Sequence, residues 1–170
     1  MLKLKKQKNK KITIGGSMLK IMFICTGNIC RSAMAEGIMR KKVQEENIEA
    51  AIYSCGIYAE DGDGATYNAI QAASEYGVDI SSHKATNIRN SKIEEMDIIL
   101  CATRGHKNLV LQLYPNLSGK VYTMKEFSGD GNYDIGDPWG YNLETYQKCA
   151  TEIVQAIDKI IKKLKNDVDK

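Results

Sequence analysis

Short apolar runs alternate with segments of helical period along this chain. Four apolar runs predict buried strands, at residues 19–25, 50–56, 96–102 and 120–127. Apolar residues at helical spacing predict helices at residues 32–47, 62–78, 104–115 and 142–165. A strand followed by a helix, four times over, predicts an α/β fold with a parallel sheet and helices on both faces. Residues 128–140, rich in Gly and Asp, predict a loop before the last helix.

Composition favours an ordinary globular chain with one domain. It has 170 residues, of which 43% are hydrophobic and 26% charged. No apolar run approaches the length that spans a membrane. The net charge of +3 is misleading, because residues 1–17 contain six lysines and no acid, which leaves 18 basic against 21 acidic residues in the rest. We therefore expect no nucleic-acid surface.

Residues 1–17 are predicted to be a basic, disordered leader, and residues 18–170 the folded domain. Met18 offers an alternative start, and a basic arm that contacts an acidic partner is the second interpretation. Five cysteines without a disulfide pattern or a secretion signal indicate reduced thiols, so we expect a cytoplasmic protein. With two histidines and no C-x2-C spacing, we expect neither a metal nor a cofactor. We also expect a monomer.

The stretch "CTGNICRSAMAEG" (residues 25–37) lies between the first predicted strand and the first predicted helix. Ligands of parallel sheets bind at this edge, and the N–H groups of a helix start attract anions. Gly27 and Asn28 tolerate left-handed backbone, which turns successive N–H groups inward. Arg31 can bind an oxyanion through two parallel hydrogen bonds, and Cys25 beside it is favoured as a nucleophilic thiolate. Ser32 can donate to that sulfur or cap the helix.

The residues "ICTGNICRSAMAE" resemble the signature of the low-molecular-weight protein tyrosine phosphatase family. The same fold includes a bacterial protein arginine phosphatase and the thioredoxin-coupled arsenate reductases. The likeness runs from about Lys20 to the last helix. It implies a four-stranded parallel, flavodoxin-like sheet with one active site. There Cys25 is the nucleophile, Arg31 grips the phosphate, and the remaining loop residues contact the substrate: Thr26, Gly27, Asn28, Ile29, Cys30 and Ser32.

The family takes its general acid from an Asp-Pro pair late in the chain. In "GDPWG" this is Asp137, followed by Pro138, which stiffens the loop. Trp139 offers an aromatic wall for the substrate's side group. The alternative is that these residues simply form a turn. Asp130 and Asp134 are weaker candidates for the acid.

The resemblance also assigns supporting roles behind the loop. Asn28, Ser54 and His83 match positions that form a hydrogen-bond network in the family, whereas His106 has no match and is expected at the surface. Cys30 either forms a reversible disulfide with Cys25 or is a packing residue. The other cysteines are expected to be core thiols: Cys55, Cys101 and Cys149.

These residues predict a phosphatase that acts on a phosphorylated protein through a phosphocysteine intermediate. Arsenate reduction is disfavoured, because Asn108 stands where that relay places a further cysteine. A phosphate-binding module is disfavoured, because nucleophile, arginine and acid are all present. For the substrate, the residues support two alternatives. Ile29, where the arginine-phosphatase branch has threonine, favours phosphotyrosine, whereas "KVYTMKEF" and "DPWG" resemble the arginine-phosphatase branch.

Overall fold

The computed structural model describes residue 13, residues 16–131 and residues 133–168. Most of the predicted leader, residues 1–17, lies outside the described residues. Its disorder and the domain boundary at residue 18 therefore stay predictions. Within the described part, no helix is both long and apolar enough to cross a membrane.

The sheet has four parallel strands in the order β2-β1-β3-β4. They are β1 (Leu19–Cys25), β2 (Ala50–Gly56), β3 (Ile98–Cys101) and β4 (Val121–Thr123). The connection after β1 runs to β2 on one side of the sheet, whereas the connection after β3 runs to β4 on the other side. Ligands of parallel sheets bind in the crevice that this reversal opens at the carboxyl ends of the strands. Cys25 ends β1 at that point.

Helices cover both faces of the sheet, as the sequence predicts. They are α1 (Arg31–Glu45), α2 (Tyr67–Ser74), α3 (Arg104–Leu113), α4 (Met124–Ser128) and α5 (Leu143–Val168). Short 3-10 turns lie at Ile88–Asn90, Ile93–Glu95 and Pro115–Leu117. Strand β1 divides its side chains between two cores: Phe23 packs with α1 and α5, and Met22 packs with α3. The α/β fold class and the four-stranded parallel sheet are confirmed.

Two elements differ from the prediction. The helix expected over residues 62–78 extends only over Tyr67–Ser74, because Thr66 caps it by accepting from Ala69 N (3.3 Å) and Gly62 has a φ of +91°. The strand expected over residues 120–127 ends at Thr123, and α4 follows. Thr123 Oγ1 accepts from Glu126 N (3.0 Å), so the run "TMKE" starts a helix.

Candidate active site

The loop at residues 25–31 joins β1 to α1 at the switch point of the sheet. Asn28 has a φ of +56°, the left-handed conformation that the sequence predicts there. Among the described residues, no backbone N–H of residues 27–31 donates to another backbone carbonyl. These N–H groups stand beside the start of α1, where the helix dipole favours an anion.

Cys25 lies at the base of this loop with its side chain buried, at 3% exposure. Its Sγ is 2.9 Å from Ser32 Oγ. Because Ser32 Oγ already accepts from Asn28 Nδ2 (2.8 Å), its own hydroxyl proton is available to the sulfur. This contact is compatible with the predicted donation from Ser32 to Cys25. The N-cap position of α1 is occupied by Cys30, not by Ser32, and Cys30 makes no side-chain capping hydrogen bond.

Asn28 holds the loop from behind. Its Nδ2 donates to Ser54 Oγ (2.8 Å) as well as to Ser32, and its Oδ1 accepts from Thr86 N (2.9 Å). His83 Nε2 donates to the Asn28 carbonyl oxygen (2.6 Å). The structure thus brings together Asn28, Ser54 and His83, the three residues that the resemblance assigned to a network.

Arg31, at the end of the loop, lies close to Asp137. Arg31 is buried at 4% exposure, and one guanidinium nitrogen donates to the Ile135 carbonyl oxygen (2.9 Å). The other is 3.6 Å from Asp137 Oδ2. Asp137 is more exposed, at 55%, and its Oδ1 accepts from Trp139 N (3.1 Å). A buried arginine and a half-exposed carboxylate therefore share one site.

The two other candidate acids are engaged elsewhere. Asp134 accepts from Arg104 N (2.8 Å), and Asp130 binds Lys159 and Ser128. Neither lines the cleft that Asp137 lines.

A cleft of about 310 Å³ opens over Cys25 and Arg31. Sequence-predicted residues that line it include Thr26, Gly27, Ile29, Cys30, Asp137 and Trp139. Three further lining residues were missed by the sequence reasoning: Tyr58, Glu60 and Asp63. They follow β2, whose carboxyl end lies beside that of β1, so strand adjacency was the information that could have found them.

Cys30 is held by the last helix. Its Sγ is 3.3 Å from Tyr146 Oη and 3.7 Å from Thr66 Oγ1, and burial raises the pKa of the Cys30 thiol. All five cysteines are free thiols in this structure. Cys55, Cys101 and Cys149 are buried, as expected of core residues. A disulfide between Cys25 and Cys30 stays a prediction.

The expectation that His106 lies at the surface is wrong. His106 is buried at 8% exposure, and its ring nitrogens are 2.8 Å from Thr26 Oγ1 and 2.9 Å from Thr103 Oγ1. Burial, together with the positive charge of Arg31, lowers the pKa of His106 to about 4. No local sequence pattern predicts this contact, because 80 residues separate Thr26 from His106.

This arrangement suits nucleophilic attack on a phosphate ester. A thiol with a hydroxyl donor lies below a ring of free N–H groups, a buried guanidinium lies beside it, and a carboxyl group stands at the mouth. A sequence profile of the low molecular weight phosphotyrosine protein phosphatases matches residues 20–170. The chain belongs to this family. It is accordingly a cysteine-dependent phosphatase.

Relatives within the low molecular weight phosphatase family include enzymes named for two substrates. A protein-arginine-phosphatase of Geobacillus stearothermophilus is 31% identical, over 87% of this chain and 97% of the relative. The low molecular weight protein-tyrosine-phosphatase PtpB of Staphylococcus epidermidis is 32% identical, over 84% and 96%. The crystal structure of a low molecular weight protein tyrosine phosphatase from T. tengcongensis superposes with a TM-score of 0.81, at 38% identity, over 85% and 99%.

Proposed function

We propose that this enzyme hydrolyses phosphotyrosine in proteins. The observation that supports it best is the wall of the cleft. Ile29, Tyr58 and Trp139 line it above Cys25 and Arg31, and an apolar, partly aromatic wall suits the flat face of a phenyl ring.

The first chemical step belongs to Cys25. Its thiolate attacks phosphorus, so that the S–P bond forms while the P–O bond to the tyrosine oxygen breaks. Asp137, protonated at this stage, gives its proton to that leaving oxygen. Arg31 and the N–H groups of residues 27–31 hold the non-bridging oxygens, where charge develops in the transition state.

The second step releases phosphate. The Asp137 carboxylate takes a proton from water, and the oxygen of that water attacks phosphorus as the S–P bond breaks. The electron pair of the S–P bond returns to the sulfur of Cys25, and the Ser32 hydroxyl at 2.9 Å stabilises the resulting thiolate by donating a hydrogen bond to it.

A second substrate class, phosphoarginine, is favoured by a separate observation. Glu60 and Asp63 also line the cleft, and carboxylates at its mouth are suitable acceptors for a guanidinium. Ile29 opposes this alternative, because a branched apolar side chain leaves the N–H groups of a guanidinium without an acceptor. The relatives named for arginine dephosphorylation make this the alternative to test first.

The deciding experiment compares kcat/KM for a phosphotyrosine peptide and a phosphoarginine peptide of the same sequence. Wild type is expected to prefer phosphotyrosine. Ile29→Thr should shift the preference toward phosphoarginine by roughly tenfold or more, because it introduces a hydroxyl. Ile29→Val is the matched control: valine has the shape of threonine without the hydroxyl, so it should shift the preference little.

Further variants separate the remaining possibilities. Cys25→Ser should abolish hydrolysis of both peptides, and residual turnover would contradict the assigned nucleophile. Glu60→Gln with Asp63→Asn should lower phosphoarginine turnover if the second class is correct. Glu94→Gln with Glu95→Gln removes the same charge near the amino end of β3 and serves as its control. A wild type that prefers phosphoarginine would overturn the phosphotyrosine proposal.

A further inference from the structure

His106 lies between two hydroxyl groups, one of which lines the cleft. Thr103 precedes α3 and caps it by accepting from His106 N (3.1 Å), and the same oxygen is 2.9 Å from His106 Nδ1. On the other side, His106 Nε2 is 2.8 Å from Thr26 Oγ1. Thr26 is exposed and lines the cleft with Cys25 and Arg31.

The capping hydrogen bond at Thr103 favours one arrangement of the protons. Since Thr103 Oγ1 already accepts from His106 N, we assign its own hydroxyl proton to the hydrogen bond with Nδ1, which is 2.9 Å away. Nδ1 is then the acceptor of a neutral imidazole, and the ring proton sits on Nε2. In this tautomer Nε2–H donates to Thr26 Oγ1.

The ring is neutral at working pH. The charged groups that act on it are Arg31, Asp137 and Asp134, and burial with Arg31 lowers the pKa of His106 to about 4. A protonated ring would have to donate from both nitrogens, so Thr103 could no longer donate to it.

We propose that His106 is a positioning residue that directs the hydroxyl proton of Thr26 into the cleft, where it donates to a phosphoryl oxygen. Since Nε2–H occupies one lone pair of Thr26 Oγ1, and no other side chain in the described part of the chain bonds this oxygen, its proton is free for a ligand. A phosphate dianion is the strongest acceptor that enters this cleft. This assignment rests on the proposed phosphatase chemistry but not on which phosphorylated residue is cleaved.

The experiment measures the affinity for inorganic phosphate, by competitive inhibition and by calorimetry, beside kcat and KM. Thr26→Val keeps the shape and removes the hydroxyl, and should weaken phosphate binding about ten- to a hundredfold. KM should rise by a similar factor. His106→Leu should do the same, whereas His106→Gln, whose amide N–H can replace Nε2–H, should restore most of the affinity. Thr151→Val, on the exposed side of α5, is the matched threonine control.

The double variant Thr26→Val with His106→Leu distinguishes positioning from general support of the fold. If His106 acts through Thr26, the double variant binds phosphate no more weakly than Thr26→Val alone. Additive losses would contradict the proposal, as would unchanged phosphate affinity in Thr26→Val. Because Thr26 is exposed, this variant is expected to fold even if His106→Leu does not. Phosphate binding by calorimetry also remains measurable if neither phosphopeptide is a substrate, so failure of the proposed function is seen separately.

Discussion

Asn28 connects the loop at residues 25–31 to three other parts of the chain. Its side chain is fully buried and bonds Ser54 at the end of β2 and the Thr86 backbone, while its carbonyl oxygen accepts from His83. Its φ of +56° is one that most residues avoid. At the scale of single residues, the loop therefore depends on a side chain that does not itself react.

Asn28→Ala should lower the free energy of unfolding by about 2–4 kcal/mol, because it leaves the Thr86 N–H unsatisfied and puts alanine at a positive φ. Turnover should fall about a hundredfold, since small displacements of catalytic groups have effects of that size. Denaturant unfolding and steady-state kinetics check both. Ser54→Ala removes one acceptor only and should cost about 0.5–1.5 kcal/mol. Equal losses in the two variants would contradict this ranking.

At the scale of elements, the end of β2 supports the loop from one side. Gly56 pairs with Cys25 in the register of β1 and β2, and a Cβ at this position would lie 2.6 Å from the Thr26 carbonyl oxygen and 2.8 Å from Asn28 N. Both contacts are with backbone atoms, which cannot rotate away. The strand end and the loop are therefore packed too closely for any side chain.

Gly56→Ala should displace the loop, reduce stability by about 1–3 kcal/mol and remove most of the activity. Phosphate affinity and melting temperature are the measurements. Gly119→Ala is the control, since a Cβ there meets nothing within 4 Å. If Gly56→Ala kept wild-type phosphate affinity, the close packing of β2 on the loop would not be what shapes the site.

The element boundaries that sequence analysis missed have local causes. The predicted fourth strand was extended through residue 127, although Thr123 and Glu126 form the spacing of a capping box and Gly129 ends the turn with a φ of +89°. The apolar residues Met124 and Phe127 fit either a strand or a short helix, and both are buried. A run this short shows no clear periodicity, so the capping hydrogen bond at its start determines that it forms a helix.

At the scale of the whole molecule, the burial of His106 links folding stability to pH. In the folded protein its pKa is about 4, against the usual 6.5 in an unfolded chain. Between these values the unfolded chain binds a proton that the folded protein does not. The corresponding stability is thus fully present above about pH 6.5 and is lost as the pH falls to about 4.

Wild type should accordingly lose more unfolding free energy than His106→Gln when the pH is lowered through this window. Carboxylates change the unfolding free energy with pH equally in both proteins. The difference between the two plots of unfolding free energy against pH therefore reports the histidine alone. Urea unfolding at half-unit pH steps measures it. Parallel curves would show that His106 gains its proton as readily in the folded protein as in the unfolded chain.

The sequence by itself determined the order of the four strands and of every helix except α4. A strand buried on both faces of the sheet is a continuous apolar run, and a helix buried on one face has apolar residues at helical spacing. It also placed Cys25, Arg31 and the residues between them in one loop, because they are neighbours in the chain. With a family resemblance it placed Asp137 with them, more than 100 residues away, and the structure brings it to 3.6 Å from Arg31.

Only the tertiary structure decided which distant residues meet at the carboxyl edge of the sheet. Tyr58, Glu60 and Asp63 join the cleft because β2 lies beside β1, and His106 reaches Thr26 because β3 lies on the other side. Strand order is set by how helices pack on the two faces, a long-range outcome that no local pattern records. A lone histidine in a polar stretch is typical of a surface position. Here the fold brings two hydroxyl groups to the ring nitrogens, and because these hydrogen bonds satisfy the nitrogens, the histidine can be buried.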